Sequence, residues 1–258
     1  MQSHQNEKAI ITVSNLHKKF GDFVAVTDVS FEVKKGEIFG ILGPNGAGKT
    51  TTLEIIETLQ KQTSGNVIVD GIDTLKHPWD VKRTIGVQLQ SAGFYPELTL
   101  VDILQLFAAL YDVEVSPMKL LEEVELQDKA KSYVNKLSGG QRQRFSIATT
   151  LVNTPKIIFL DEPTTGLDPQ ARIHLWDMIK KINQKGVTIV LTTHYLEEAE
   201  ELCERVAIMD KGKIVALDSP EALIKKLLKT GFKKHIEVKQ ADLEDVFIQL
   251  TGRHLHEA

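Results

Sequence analysis

Only one cysteine, Cys203, occurs in the 258 residues of this chain. A single thiol excludes an internal disulfide and a cysteine-rich zinc site, and it fits a reducing compartment. Long hydrophobic runs are also missing. No stretch approaches the roughly 20 apolar residues that cross a bilayer as a helix. Met1 to Lys8 is polar, without the apolar centre of a signal peptide. The sequence therefore predicts a protein that is soluble by itself, so any work at a membrane needs a separate membrane subunit. Positive charge is not in excess: 31 Lys and Arg face 35 Asp and Glu, a net charge of −4. Nucleic acid is therefore not expected as a partner. Repeats, low-complexity tracts and Pro/Gly-rich linkers are absent. What is present is a 42% hydrophobic fraction, enough for a sizeable core in one large domain or two small ones.

The apolar pattern changes period along the chain. Short alternating stretches from about Ile10 to Val33 read as antiparallel strands. Ile38 to Leu42 is a short apolar run that ends in a glycine-rich loop, and a helix follows with Leu53, Ile55, Ile56 and Leu59 on its buried side. From about Ser91 to Leu151 helical spacing dominates, with Leu104, Phe107, Ala108 and Tyr111 in one stripe and Leu120 and Val124 in another. This stretch predicts a helical subdomain. The runs Ile157–Leu160 and Val187–Leu191 suit parallel strands covered on both faces, with a helix from about Pro169 to Ile182 between them. Past Leu217, Pro220 starts a helix that ends near Gly231, His235 to Val238 reads as a short strand, and Asp242 is placed to cap a last helix carrying Leu243, Val246, Phe247 and Leu250. The expected division is a main domain over residues 1–231, its helical part at about 91–151, and a short extension over 232–258.

Three motifs carry chemistry. Gly43-Pro44-Asn45-Gly46-Ala47-Gly48-Lys49-Thr50 fits G-x-x-x-x-G-K-[ST] between a strand and a helix. Its glycines let backbone N–H groups turn inward as an anion nest, and the helix N-terminus adds partial positive charge. Lys49 would reach the β- and γ-phosphates of a nucleotide, and the Thr50 hydroxyl would bind Mg²⁺. Asp161 and Glu162 follow the strand Ile157–Leu160, at the end of an open sheet where ligands sit. Asp161 would help to hold Mg²⁺, and Glu162 would orient and polarise an attacking water; an acidic turn at the sheet edge is the plainer alternative. The third motif is Leu137-Ser138-Gly139-Gly140-Gln141. Ser138 and Gln141 also fit a capping box, which needs no function. A helix end with two uncovered glycines offers a second positive site for phosphate.

Taken together, these motifs resemble the ATPase subunit of ABC transporters, and the resemblance covers roughly Ile10 to Leu217. It implies an α/β phosphate-loop fold of the ABC ATPase type: a mostly parallel core sheet, an antiparallel β subdomain and a helical subdomain. It also implies ATP as nucleotide, Mg²⁺ as metal, and ATP hydrolysis coupled to transport. Leu137 to Gln141 is similar to the family's signature motif, which contacts the γ-phosphate held by the opposite subunit. On the same ground Thr51 follows Thr50 in the phosphate site, and Phe20 stands where an aromatic stacks on adenine, with a core aromatic as its alternative. Gln90 matches the glutamine that binds Mg²⁺ and senses the membrane partner. Asp168 matches an acidic residue with contacts across the dimer, although Asp before Pro169 also fits a plain helix cap. His194 matches a histidine that contacts the γ-phosphate, and an ordinary polar residue is its alternative.

The tail sequence Asp242–Phe247 with Leu250-Thr251-Gly252, and Glu54-Ile55-Ile56-Glu57 after the phosphate loop, resemble ATPases of ABC-2-type exporters, including the daunorubicin-resistance type. The expected partners are a separate transmembrane permease and a second ATPase subunit, identical or a close paralogue. The expected place is the cytoplasmic face of the membrane, bound peripherally. Residues from Gln90 to Thr99, with Phe94 and Tyr95, are expected to dock the permease. An importer ATPase, a lipid or polysaccharide exporter, and a non-transport ABC ATPase remain as alternatives.

Overall fold

A computed structural model describes residues 9–88, 93–232 and 249–250. Gln90, the strand expected at 235–238 and the last helix expected from Asp242, apart from residues 249–250, lie outside the described residues. The chain opens with two long strands, β1 (Ala9–Phe20) and β2 (Phe23–Lys34). In β2, Val29, Phe31 and Val33 are buried while Ser30, Glu32 and Lys34 face out, the period-2 alternation of a half-covered strand. Next come β3 (Ile38–Leu42), α1 (Lys49–Ile56), β4 (Ser64–Val69), β5 (Ile72–Asp73), α2 (Pro78–Thr84) and β6 (Ile85–Gln88). The helical stretch holds α3 (Leu100–Tyr111), α4 (Pro117–Glu123) and α5 (Gly139–Thr150), with two 3₁₀ turns between α4 and α5. The chain then returns to alternating elements: β7 (Ile157–Asp161), α6 (Pro169–Asn183), β8 (Thr188–Thr193), α7 (Leu196–Leu202), β9 (Arg205–Asp210), β10 (Lys213–Asp218) and α8 (Pro220–Lys229). Residues up to Leu223 form one compact unit and those from Ile224 a second.

Two sheets organise the first unit. The smaller is antiparallel, in the order β2-β1-β4-β5. The larger runs β10-β9-β3-β8-β7-β6, parallel except for the β9–β10 pair at one edge. Its central strands β3, β7 and β8 are buried on both faces, and the two faces feed different cores. Ile158 and Leu160 of β7 pack with α3, α5 and α6, whereas Ile157 and Phe159 pack with α1 and the antiparallel sheet. That double covering explains the continuous apolar runs seen in the sequence.

Local sequence sets the ends of the helices. Thr99 and Asp102 form a capping box that starts α3. Helix α1 stops at Ile56 because Thr58 takes φ 65°, a left-handed conformation that a β-branched residue adopts at a cost. Leu59 therefore falls past the helix and is half exposed, not on its buried side. At the other end of the helical stretch, α5 is pressed onto β6. A Cβ on Gly86 would lie 2.2 Å from the Thr150 carbonyl oxygen. Just past α5, Asn153 Nδ2 donates to the carbonyls of Ile85 (2.9 Å) and Arg83 (3.2 Å).

Candidate active site

The loop between β3 and α1 curls tightly because its glycines have no Cβ to obstruct it. A Cβ on Gly43 would meet the Met209 carbonyl at 2.4 Å, and Gly48, at φ 98°, lies against the Ala25 carbonyl. Lys49 opens α1 almost fully buried. Its Nζ donates to the Gly43 carbonyl at 2.9 Å and the Pro44 carbonyl at 3.2 Å, and stands 3.3 Å from Glu162 Oε1. The ammonium thus folds back over its own loop, with a carboxylate where a phosphate would compete for it.

Asp161 and Glu162 leave the end of β7 in different directions. Thr50 Oγ1 lies 3.3 Å from both carboxylate oxygens of Asp161, which also accepts a hydrogen bond from the Thr192 hydroxyl. One hydroxyl beside one carboxylate suits a hard cation that keeps waters and phosphate oxygens as its other ligands. No cluster of three or more His, Cys, Asp or Glu among the described residues offers a protein-only metal cage.

Glu162 turns into the cleft through a left-handed backbone, φ 48°. Its N–H donates to Thr192, at 3.2 Å to the carbonyl and 3.0 Å to Oγ1. Thr165 Oγ1 donates to Glu162 Oε2 at 3.3 Å, and His194 Nδ1 stands 3.1 Å from the same oxygen. Burial alone would raise this carboxyl. The His194 hydrogen bond and the charges of Lys49 and His194 outweigh burial and hold it below its ordinary value. It is therefore ionised at neutral pH, the form a general base needs.

These groups border one cleft of about 620 Å³, lined by Phe23, Ala25, Asn45, Gly46, Gly48 to Thr51, Glu162, Thr165 and His194. Phe23 and Thr165 were not legible as site residues. Phe23 belongs to a hairpin turn without a motif of its own, and Thr165 is placed only by the turn after Glu162. Phe20 is 44% exposed at the end of β1, which removes the core-aromatic alternative, and Lys18 Nζ lies 4.5 Å over its ring. It does not border the cleft; Phe23, across the hairpin, does.

Ser138 to Gln141 stand apart from this cleft. Ser138 and Gln141 form the capping box that starts α5, and Ser138 and Gly139 are exposed. Asp168 is likewise exposed and caps α6, accepting the Ala171 N–H at 2.9 Å. The capping readings thus hold at both positions. Any contact of these residues with phosphate must be made by their outward faces.

Glu57, at the C-cap of α1, is a buried acid beside the site. It is 2% exposed, and its Oε1 has no hydrogen-bond partner. Burial, followed by the charges of Asp161 and Glu54, pushes its carboxyl up to about 8. The folded chain keeps this proton in a range where the unfolded chain, at the ordinary 4.5, has lost it. Stability contributed by the site therefore falls as pH rises above 4.5 and levels off past about 8. A Glu57→Gln chain cannot ionise there. Between pH 6 and pH 9 its urea-unfolding free energy should shift in its favour relative to the wild type by about 3 kcal/mol. Parallel pH profiles for the two chains would contradict a neutral Glu57.

A glycine-rich anion loop, a Thr–Asp oxygen pair and an ionised glutamate at the strand ends of a doubly covered parallel sheet define a phosphate-loop nucleoside triphosphatase. The model of the ABC transporter family matches residues 26–165. The chain is 33% identical to a Nod factor export ATP-binding protein of Burkholderia orbicola, over 96% of this chain and 99% of that one. It is 38% identical to a doxorubicin resistance ATP-binding protein of Mycobacterium tuberculosis, over 94% and 74%. Among solved structures, an ATP-binding cassette dimer in a post-hydrolysis state with ADP and phosphate superposes with TM-score 0.73 and 32% identity, over 81% of this chain and 98% of that one. The protein belongs to the ABC transporter family, as an ATP-binding, ATP-hydrolysing subunit. None of its described helices is long and apolar enough to cross a membrane.

Proposed function

We propose that this chain powers an exporter of the ABC-2 type, working as a head-to-tail pair on a separate transmembrane permease at the cytoplasmic face of the membrane. The observation that carries the pairing is the separation described above. The loop, Glu162 and His194 share one cleft, while Ser138 to Gln141 lie outside its lining, with Ser138 and Gly139 exposed at the start of α5. A second chain turned end for end brings its own Ser138 turn over this chain's nucleotide, so that each ATP has donors on both sides. The relatives whose names specify export of Nod factor or resistance to doxorubicin support the direction of transport.

In this reading the γ-phosphate draws Lys49 from Glu162, and the freed carboxylate takes a proton from the attacking water. The new P–O bond forms as the bond to the β-phosphate bridge breaks, and ADP and phosphate leave. Thr50 and Asp161, with Gln90, would hold Mg²⁺, which when bound neutralises charge on the phosphate oxygens. His194, its Nδ1 3.1 Å from Glu162 Oε2, keeps the carboxylate aimed and contacts the γ-phosphate. Phe20 or its neighbour Phe23 would stack on adenine, and Asp168 would contact the second copy. Phe94 and Tyr95 lie on the segment expected to meet the permease.

The test is reconstitution with the membrane protein that copurifies with the chain from its native membranes. ATPase activity in vesicles should rise severalfold over the chain alone and respond to the exported compound. A rate indifferent to that partner would remove the transporter reading and leave only the ATPase.

A further inference from the structure

Away from the nucleotide cleft, the end of α1 and the start of α2 enclose a second cleft of about 210 Å³. Its lining includes Thr58, Lys61, Gln62, Thr74, Trp79 and Lys82. Three of these residues carry buried polar atoms without a hydrogen-bond partner: Thr58 Oγ1, Gln62 Nε2 and Thr74 Oγ1. Thr74 is only 4% exposed. Buried polar groups are normally satisfied, so three unsatisfied ones around a single small cleft require an explanation. All three can donate to an anion.

Charge points the same way. Neither the Lys61 nor the Lys82 ammonium has a carboxylate partner among the described residues. Lys82 Nζ instead rests 4.7 Å over the Trp79 ring. The neighbouring Lys76 and His77 are already matched by Asp73 at 3.3 Å and Asp80 at 3.5 Å. The walls are also fixed in advance. Lys18 Nζ donates to the Lys61 carbonyl at 2.7 Å, and Asp73 Oδ1 accepts the N–H groups of Leu75 and Lys76.

The rim of the cleft is unusual for a surface. Trp79 is 74% exposed, and Leu59 and Leu75 are each nearly half exposed beside it. An exposed tryptophan flanked by lysines and leucines has the composition of a membrane–water interface, where indole sits at headgroup level and lysines meet lipid phosphate. A free phosphate would use the polar floor but leave this apolar rim without a role.

We infer that the Trp79 cleft binds the phosphate-bearing headgroup of an anionic phospholipid, with Lys61, Lys82 and the three unsatisfied polar groups as its donors and the exposed indole and leucines against the glycerol and upper acyl region. The net charge of −4 on the whole chain makes diffuse attraction to an anionic surface weak, so attachment depends on this local group.

The experiment uses the full chain without any permease, so its outcome is independent of the exporter reading. Vesicles of phosphatidylcholine, with and without phosphatidylglycerol, are sedimented with the protein while tryptophan emission is followed. The chain should pellet only with phosphatidylglycerol, and its emission should shift to the blue, a shift missing in Trp79→Phe. Lys61→Gln combined with Lys82→Gln should weaken attachment by about tenfold or more, and 0.5 M salt should do the same, in keeping with roughly 1 kcal/mol per lysine at a charged surface. ATP hydrolysis in solution should be unchanged in these variants. Absence of pelleting, or pelleting that survives the double lysine substitution, would overturn the proposal. So would an emission response to inorganic phosphate or glycerol phosphate without vesicle attachment, which would make the cleft a free-anion site.

Discussion

A Glu162→Gln chain should bind ATP with near wild-type affinity and hydrolyse it about 10² to 10⁴ times more slowly. The amide keeps the size of the side chain and its reach toward Lys49 and His194, 3.3 and 3.1 Å away in the resting site. What it loses is the ability to take a proton. Because nothing then removes the γ-phosphate, the ATP-bound pair should accumulate and run as a dimer in gel filtration, where the wild type with ATP returns to monomer. The wild-type carboxyl lies below its ordinary 4.5, so the loss should persist across neutral pH and not be mimicked by mild acidification. Wild-type turnover by the amide variant would remove Glu162 from the role of base.

The second large effect comes from mixing two inactive chains. Lys49→Ala removes the buried ammonium that reaches the phosphates, and Ser138→Arg fills the exposed turn at the start of α5. Each variant alone should retain almost no ATPase activity, because every composite site in its homodimer carries one defect. In an equal mixture, about half of the pairs are mixed, and each mixed pair holds one site with both defects and one with neither. Activity should return to about one quarter of wild type per chain, measured as phosphate release. A mixture as inactive as its parts would contradict the head-to-tail arrangement. Should Ser138→Arg alone remain active, its turn would have no part in the site.

How far the sequence carried this picture depended on how local the cause was. The glycine loop, the strand ends at Asp161 and His194 and the caps at Ser138 and Asp168 each follow from a few neighbouring residues, and each was legible. So was the mostly parallel sheet, because strands buried on both faces leave unbroken apolar runs. Phe23 was not, since its place at the cleft depends on the pairing of β1 with β2 and on how that hairpin meets the glycine loop. Leu59 was misplaced because helical spacing continues past Ile56, whereas the helix does not. The left-handed turn at Thr58 overrides the pattern, and threonine gives no warning of it. Glu57 and the Trp79 cleft were invisible for a related reason. An acid on an apolar face and a lone exposed tryptophan acquire meaning only when distant segments close around them.

The seam at Gly86 has a mechanical consequence. With 12 residues, α5 is a rod of about 18 Å, pressed onto Gly86 at its Thr150 end, while at its other end Ser138 and Gly139 are exposed and Gly140 lies against Ala171 of α6. A swing of about ten degrees about that Gly86 contact carries the tip by about 3 Å, the length of one hydrogen bond. The missing methyl at Gly86 thus sets the pivot of a lever, and a residue far from any nucleotide governs how closely the tip meets its target.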